Sequence, residues 1–169
     1  VRAEPAAHGI QLFELRDPAG AVLPEFSAGA HLTLRTPGGL LRKYSLCNDP
    51  AERDRYVIAV KRDANGRGGS VDLVDHARAG DLLEVSPPEN AFPLSPGARQ
   101  LIFIAGGIGI TPILSMIRTL AADELAPPWK LVYLGRDPAG MAFTEELRTH
   151  GKRVTVHCGE GDPDRRFDL

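Results

Sequence analysis

Three short segments of the chain carry residue types suited to binding phosphorylated ligands. Residues 42–46 read Arg-Lys-Tyr-Ser-Leu, residues 66–70 read Gly-Arg-Gly-Gly-Ser, and residues 106–112 read Gly-Gly-Ile-Gly-Ile-Thr-Pro. A guanidinium pairs with phosphate, a tyrosine ring packs against a planar group, and a hydroxyl hydrogen-bonds to a polar edge. Glycine loops that open helices offer backbone N–H groups to anions. The order of the segments predicts two such ligands held side by side.

The first segment has the alternation of a β-strand. Arg42, Tyr44 and Leu46 then share one face of the strand, and Ser45 points to the other face. Ser45 therefore reaches the same ligand only where the strand end bends or where its backbone makes the contact. An ordinary strand with a solvated arginine would be the better interpretation of this segment alone, so its assignment depends on the other two segments.

The second segment precedes a predicted helix from Ser70 to Ala77, in which Val71, Leu73 and Val74 face inward. Glycines let the backbone approach a ligand closely, and the helix dipole favours an anion at this end. Ser70 is expected either to cap the helix or to bind the phosphate. A flexible turn with a serine cap is the alternative.

The third segment lies between an apolar strand and a helix. Its glycines are Gly106, Gly107 and Gly109, and the helix is predicted to open with Thr111 as N-cap and Pro112 at the first helical position. This arrangement suits a strand-to-helix turn that binds a nucleotide phosphate, although it is not the Gly-x-Gly-x-x-Gly pattern. Tight packing between strand and helix is the alternative.

The hydrophobic pattern that must position these segments changes near residue 95. Before it, short apolar runs alternate with turn residues, which is typical of a small antiparallel barrel. The predicted strands are Ile10 to Leu15, Ala30 to Arg35, Arg42 to Cys47 and Arg55 to Lys61. The last of these is apolar on both faces between Tyr56 and Val60, as expected of a central strand.

After residue 95, apolar runs alternate with helical periodicity, which predicts a parallel sheet. The predicted strands are Leu101 to Ala105, Leu131 to Leu134 and Val154 to His157, and the predicted helices are Pro112 to Ala122 and Phe143 to His150. The second helix is expected to begin at Thr144 or just before it. The sequence therefore predicts a β plus α/β chain, with an antiparallel Greek-key barrel over 1–95 and a partial doubly wound parallel α/β domain over 96–169.

With these motifs in this order, the chain resembles the ferredoxin-reductase-like flavoproteins, and among them the phthalate dioxygenase reductase and vanillate demethylase reductase family, over almost its whole length. The resemblance implies an oxidoreductase that passes electrons from NADH through FMN to an iron–sulfur partner of an oxygenase system. Family members continue with a Cys-Gly-Pro segment and a four-cysteine ferredoxin domain that this sequence lacks, so the chain is expected to be part of a longer protein. A flavin-binding electron-transfer module without turnover of its own is the alternative.

The resemblance also implies roles for individual residues. It places Arg42 at the FMN phosphate, Tyr44 and Ser45 beside the isoalloxazine, and Thr111 where flavin and nicotinamide meet. Ser45 and Thr111 are therefore the predicted catalytic residues, and no general base is expected because the cofactor supplies the chemistry. The loop at 66–70 would receive the phosphate and leaves little room for an adenosine half, which favours FMN over FAD. The predicted cofactor-binding residues are Arg42, Tyr44, Ser45, Leu46, Val60, Lys61, Gly68, Gly69, Ser70, Gly106, Gly107, Gly109, Thr111, Pro112 and Asp137.

The choice between NADH and NADPH depends on two residues after the second parallel strand. Arg136 would pair with a 2′-phosphate, whereas Asp137 would accept a hydrogen bond from a free 2′-hydroxyl and repel that phosphate. The residues alone leave these opposed, and the resemblance favours NADH. A 2Fe-2S cluster is expected only in a ferredoxin domain or partner protein, which would serve a terminal oxygenase.

Composition excludes several other classes of function. The 169 residues are 43% hydrophobic and 25% charged with a net charge of −2, so there is no basic excess to neutralise nucleic acid phosphates. Cys47 and Cys158 are too few for an iron–sulfur cluster and too far apart for a zinc knuckle, so no metal site is predicted. No apolar stretch reaches the ~20 residues that cross a bilayer, so neither a membrane span nor a signal peptide is expected within these residues. The cytoplasm is the expected location.

Four further residues have weaker assignments. Asn90 and Phe92 lie at the predicted domain junction, where a linker with a buried phenylalanine is favoured over contact with the flavin. His31 is predicted to be a barrel residue with its hydrogen bonds satisfied, and Trp129 is predicted to pack at the start of its strand.

Overall fold

Antiparallel structure occupies the first part of the chain. The structure, a computed structural model, describes residues 1–159. The first five strands are β1 (Arg2–Ala7), β2 (Ile10–Leu15), β3 (His31–Arg35), β4 (Leu41–Ser45) and β5 (Tyr56–Lys61). One sheet has the order β1-β2-β5, and β3 pairs with β4 in a second sheet. Four of these strands confirm the predicted ones, with ends shifted by up to two residues, and β1 was not predicted.

Among the described residues, one isolated β-bridge joins the two sheets, and two others join β3 to the segment at 85–89. Leu46 bridges to Ile58 of β5, and β3 bridges to the later segment through the pairs His31–Glu89 and Leu34–Val85. The sheets share one apolar core, whose fully buried members include Phe13, Leu32, Leu34, Leu46, Ile58 and Leu73. Residues 1–159 therefore form two antiparallel sheets around a common core and not the closed barrel that was predicted, because the contact between the sheets is a single bridge, Leu46–Ile58, and not a continuous strand pairing.

Helix α1 (Gly69–His76) closes one end of this core. Leu73 is fully buried, whereas Val71 and Val74 are only partly buried. The helix begins one residue before the predicted Ser70, and it brings the 66–70 loop beside strand β4.

A parallel α/β unit follows. Its elements are β6 (Leu101–Gly106), a 3₁₀ turn (Gly107–Gly109), α2 (Ile110–Ala122), β7 (Trp129–Gly135), a 3₁₀ turn (Pro138–Gly140), α3 (Thr144–Arg148), a 3₁₀ turn (Gly151–Arg153) and β8 (Val154–Cys158). The sheet has the order β6-β7-β8, all parallel, with Leu101 opposite Trp129 and Leu131 opposite Val154. All three predicted strands are confirmed, and Trp129 is buried at the start of β7 as predicted.

Helix α2 supplies most of the core of this unit. Ile110, Ile113, Leu114, Met116 and Ile117 are all buried. Two residues of the antiparallel part, Ala28 and Cys47, belong to the same core, so the two parts of the chain pack directly together. The domain boundary at residue 95 stays a prediction. The last ten residues of the predicted second domain, 160–169, lie outside the described residues. Across residues 1–159, no helix has both the length and the apolar character to span a bilayer.

Candidate functional site

Arg42 lies directly over the start of helix α1. Its Nη2 donates to the carbonyl oxygen of Arg67 at 2.5 Å, and its Nη1 donates to that of Leu41 at 2.8 Å. A Cβ built on Gly69 would lie 2.3 Å from Arg42 Nε and 2.5 Å from its Cγ. Only glycine at position 69 leaves room for the arginine in this position. Arg42 and the 66–70 loop are therefore brought together as the sequence predicts.

The N-terminus of α1 has no side-chain cap. Gly68 precedes the helix with a φ of 76°, a left-handed conformation that favours glycine, and it has no side chain that caps the helix. The first intrahelical bond runs from Asp72 N to Gly68 O, so the N–H groups of residues 69–71 are the unpaired donors of the first turn. They point where the helix dipole favours negative charge.

Ser70 is not the N-cap. It is the second residue of α1, and its Oγ accepts a hydrogen bond from Asp63 N at 3.1 Å. The expectation that it caps the helix is wrong, because the helix starts one residue earlier and the hydroxyl instead holds the loop that precedes it. Its hydroxyl hydrogen remains a donor for a ligand.

Asp72 connects α1 to the hairpin that leads into β4. Its Oδ2 accepts from Gly38 N at 2.7 Å, and its Oδ1 lies 2.9 Å from His76 Nδ1. Hydrogen bonds from the Thr36 hydroxyl and from the Gly38 backbone hold the pKa of the Asp72 carboxyl below its ordinary value. The helix start and the arginine-bearing strand are thus joined by a charged contact close to the loop.

The end of β4 supplies the predicted flavin-facing residues. Tyr44 is half-buried, and burial raises the pKa of its phenol. Ser45 is also half-buried and lies opposite His31 in the β3–β4 pair. Leu46 and Val60 are buried in the core at 0% and 1% exposure, so their contact with a flavin stays a prediction.

The glycine loop at 106–109 ends strand β6. Gly107 has a φ of 51°, and a Cβ on Gly106 or Gly109 would meet nothing within 4 Å. The surface of the loop is therefore open to a close-lying ligand, whereas the tight-packing interpretation would require neighbouring atoms there. This favours the nucleotide-binding interpretation of the motif.

Thr111 and Pro112 lie inside helix α2, not at its cap. The helix begins at Ile110, and Thr111 is buried with its Oγ1 donating to Ile108 O at 3.1 Å. The expectation of a Thr111 N-cap is wrong because the 3₁₀ turn continues directly into the helix. Pro112 is tolerated at the third helical position, since the first-turn N–H groups have no intrahelical acceptor.

A cavity of about 550 Å³ lies at the carboxyl ends of β6 and β7. It brings together predicted residues from three elements: Lys61 at the end of β5, the glycine loop, and Asp137 after β7. Ligands of open parallel sheets bind at this end. Its lining residues are Lys61, Gly106, Gly107, Ile108, Leu134, Gly135, Arg136, Asp137, Gly140 and Met141. Asp137 Oδ1 also accepts from Ala139 N at 3.1 Å, which fixes the carboxylate at the cavity edge.

Two polar residues that the sequence analysis missed join α2 to the end of β4. Ser115 Oγ donates to Asn48 O at 2.8 Å, and Arg118 Nη1 donates to Cys47 O at 2.7 Å. Ser115 and Arg118 follow Thr111 by four and seven residues, so the three share one face of the helix. This spacing is the sequence feature that could have identified Ser115 and Arg118 as partners of Thr111. The face that carries Thr111 thus contacts the backbone just beyond Ser45.

The structure tests the weaker assignments made for Asn90, Phe92 and His31. Phe92 is 53% exposed, so the predicted buried phenylalanine is wrong. Asn90 Nδ2 donates to Ser27 Oγ at 2.6 Å and to Ala28 O at 3.0 Å. His31 Nε2 is buried, has no hydrogen-bond partner among residues 1–159, and lies 3.7 Å from Glu89 Oε2. The prediction of a satisfied histidine is therefore also wrong.

Both cysteines are free thiols. Cys47 is fully buried, and burial raises the pKa of its thiol to about 12, which disfavours the thiolate that a nucleophile or a metal ligand requires. Cys158 is half-buried on β8. Within the described part of the chain, no group of three or more His, Cys, Asp or Glu side chains is placed to hold a metal ion.

Comparison with known proteins finds a family model that matches the second part of the chain. The family model "Oxidoreductase NAD-binding domain" matches residues 103–159, which include most of β6, the glycine loop, α2 and β7. The residues that line the cavity at the carboxyl ends of the strands all lie in this segment except Lys61.

The whole chain is similar to reductases of oxygenase systems. Phthalate dioxygenase reductase of Burkholderia cepacia is 54% identical over 168 residues, which cover 98% of this chain and 52% of the relative. The phthalate 4,5-dioxygenase oxygenase reductase subunit of Pseudomonas putida is 61% identical over 165 residues, which cover 96% of this chain and 51% of the relative. The chain spans about half the length of these relatives.

A solved structure confirms the fold. Phthalate dioxygenase reductase, described there as a modular structure for electron transfer from pyridine nucleotides to 2Fe-2S, superimposes with a TM-score of 0.94 at 54% identity. The match covers 98% of this chain and 52% of that one. The ferredoxin-reductase-like architecture expected from the sequence, antiparallel sheets followed by a parallel α/β unit, is the fold of this chain.

Proposed function

Because phthalate dioxygenase reductase and related oxygenase reductases are close homologues of this chain, we propose that the protein is an NADH-dependent, FMN-containing reductase of an oxygenase system. Its electrons pass to a 2Fe-2S centre in a ferredoxin domain or partner protein, and from there to a terminal oxygenase. We place it in the cytoplasm, because an NADH-dependent reductase needs access to the cytoplasmic NADH. The observation that carries the proposal is Arg42 held over the open start of α1, beside the end of β4.

The residues around α1 suit the phosphate of FMN. Arg42 supplies a guanidinium, the N–H groups of residues 69–71 supply donors, and Ser70 supplies a hydroxyl. A phosphate dianion needs several donors and benefits from the positive end of the helix dipole. The absence of a side chain at Gly69 lets Arg42 lie against the helix start, which keeps the guanidinium beside these donors.

The nicotinamide nucleotide fits the second glycine loop. The open backbone at Gly106 and Gly109 accommodates a close-lying phosphate, and the cavity beyond it leads to Asp137. Thr111 begins the helix face that contacts the end of β4, which carries Tyr44 and Ser45. The chain's own contribution is to hold the two sites in one fixed arrangement and to hydrogen-bond the cofactor edges.

When bound, FMN would accept a hydride from NADH and release electrons singly. No side chain of this chain is needed as a general base for that exchange. Ser45 and Thr111 would act as hydrogen-bonding groups at the reacting rings, and the buried Cys47 takes no part because its thiol stays protonated.

The test uses the full-length protein. The cofactor released on denaturation is expected to be FMN, and anaerobic NADH is expected to bleach the flavin absorbance. A charged hydrogen bond to phosphate contributes roughly 1.5 to 3 kcal/mol, so Arg42→Ala is expected to weaken FMN binding about tenfold or more. Arg2→Ala, which changes an arginine on the distant strand β1, is the matched control.

Three results would contradict this proposal. Release of FAD would exclude FMN as the cofactor, and unchanged FMN affinity in Arg42→Ala would remove the phosphate assignment. Bound FMN that NADH does not reduce would favour the alternative of a flavin-binding module without turnover of its own.

We propose NADH over NADPH because a hydrogen bond from Ala139 N holds the Asp137 carboxylate at the cavity edge, whereas Arg136 beside it has an exposed side chain. An ordered carboxylate accepts from a free 2′-hydroxyl and repels a 2′-phosphate. Asp137→Ala in the full-length protein is expected to lose its preference for NADH, measured as the ratio of kcat/KM values for the two nucleotides. A native protein more efficient with NADPH would show that Arg136 dominates.

A further inference from the structure

One face of helix α2 is fastened to the end of strand β4 by two hydrogen bonds. Ser115 Oγ donates to Asn48 O at 2.8 Å and Arg118 Nη1 donates to Cys47 O at 2.7 Å. Ser115, Cys47 and Asn48 are completely buried, so water does not compete for the Ser115 bond, whereas the Arg118 bond is part-buried because the arginine side chain is 29% exposed. Because Thr111 lies one turn before Ser115 on the same face, the contact fixes the start of the helix as well as its middle.

The acceptor side of this contact is itself rigid. Cys47 N donates to Val57 O at 2.9 Å, and Asn48 Oδ1 accepts from Val57 N at 2.9 Å. Asn48 Nδ2 donates to Arg55 O at 3.1 Å. These bonds attach the segment after β4 to strand β5, so the two carbonyl groups are presented in one orientation.

The donor side is fixed in the same way. Arg118 Nε and Nη2 donate to the two carboxylate oxygens of Glu146 on α3, at 2.8 and 2.7 Å. A two-pronged arginine–carboxylate pair holds the guanidinium plane in a single orientation. Arg118 thus joins α2, α3 and the end of β4, and its third donor is aimed at Cys47 O.

We infer that Arg118 and Ser115 are positioning residues, which hold the nicotinamide-binding end of α2 against the flavin-binding end of β4. This inference rests on the proposed function. Cys47 is two residues from Ser45, and one helical turn of about 5.4 Å separates Ser115 from Thr111. Hydride transfer requires reacting atoms about 3 to 3.5 Å apart, and a shift of about 1 Å costs on the order of a hundredfold in rate.

The test compares Arg118→Met with the native full-length protein by anaerobic rapid mixing with saturating NADH. Arg148→Met, an exposed arginine on α3, is the matched control. In Arg118→Met the rate constant of flavin reduction is expected to fall about tenfold to a hundredfold. The amplitude, the FMN content and the NADH concentration giving half the maximal rate are expected to stay within about threefold. Arg118→Lys keeps a single donor for Cys47 O, so its rate constant of flavin reduction is expected to lie between those of the native protein and Arg118→Met.

A second measurement does not depend on turnover. Hydrogen–deuterium exchange of the flavin-free protein is expected to show faster exchange at the amides of Cys47 and Val57 in Arg118→Met. Exchange in the β1–β2 pair is expected to remain unchanged. Ser115→Ala, which keeps the Arg118 bonds, is expected to give the same pattern with a smaller effect.

The outcomes separate the inference from the proposed function. Native rates and native exchange in Arg118→Met would overturn the inference while leaving the reductase assignment intact. A smaller amplitude with a native rate constant would also overturn it, because that pattern means partial unfolding without misplacement. If NADH fails to reduce the native flavin, the proposed function fails, and the exchange measurement alone decides whether Arg118 and Ser115 hold α2 against the end of β4.

Discussion

The two glycine loops that open helices α1 and α2 are held in place by different forces. The loop at 66–70 is held by polar contacts near the surface, chiefly Arg42 to Arg67 O and Ser70 to Asp63 N. The loop at 106–109 continues into a helix with eight buried residues and has no side-chain cap. The first loop is positioned by hydrogen bonds and charge, and the second by the packing of the helix that follows it.

Because of this difference, substitutions at the two loops should affect different properties, ligand binding at one and the free energy of unfolding at the other. A loop held by polar side chains loses its shape without unfolding the chain, since exposed hydrogen bonds contribute little net free energy. A loop attached to a buried helix keeps its shape as long as the core persists. Changes near α1 should therefore alter ligand binding, whereas changes in α2 should alter the free energy of unfolding.

The largest expected effect is on stability. Leu114 of α2 is completely buried, so Leu114→Ala is expected to lower the free energy of unfolding by about 2 to 5 kcal/mol, as for other buried leucines. Ser70→Ala removes one exposed hydrogen bond near α1 and is expected to cost about 1 kcal/mol or less. Urea unfolding followed by circular dichroism measures both. Equal losses in the two variants would show that the loops are not held differently.

A pair of glycine substitutions should separate the loops by ligand affinity. Gly69→Ala places a methyl group 2.3 Å from Arg42 Nε and displaces the arginine, so FMN binding is expected to weaken about tenfold. Gly109→Ala meets nothing within 4 Å and has a φ of −62°, so FMN affinity and stability are expected to remain native. Fluorescence titration of the flavin-free, full-length protein measures the affinities. Native FMN affinity in Gly69→Ala would show that the position of Arg42 is irrelevant to the cofactor.

The sequence predicted most strands because their side chains alternate or form continuous apolar runs. Strand β1 was missed because Arg2–Ala7 has neither pattern and contains Pro5. It forms because β2 offers an unpaired backbone edge, and Pro5 is tolerated on an edge strand beside an irregular register. Tertiary pairing, rather than local preference, determined that element.

The site was predictable where glycines and charged residues follow local rules, and less so where contacts are distant in sequence. The loops at 66–70 and 106–109 lie where predicted, but the caps do not, because both helices begin earlier than Ser70 and Thr111 suggested. The bonds from Ser115 and Arg118 join residues about 70 positions apart. No local pattern specifies which backbone carbonyl such a side chain will meet.

The smallest expected effect concerns pH and the charged contact beside the first loop. The pKa of Asp72 is lowered in the folded chain by hydrogen bonds from Thr36 and from Gly38 N. A depressed carboxyl pKa stabilises the folded state above the unfolded value of about 3.9, and that contribution is lost as pH falls through the folded pKa. The difference in unfolding free energy between the native protein and Asp72→Asn is therefore expected to be larger at pH 5 than at pH 3. Denaturant unfolding at both pH values measures it, with Glu124→Gln, an exposed loop carboxylate, as control. A difference that does not change with pH would mean that the Asp72 charge plays no part in holding α1 to the hairpin, and the comparison between the loops would then depend on Arg42 alone.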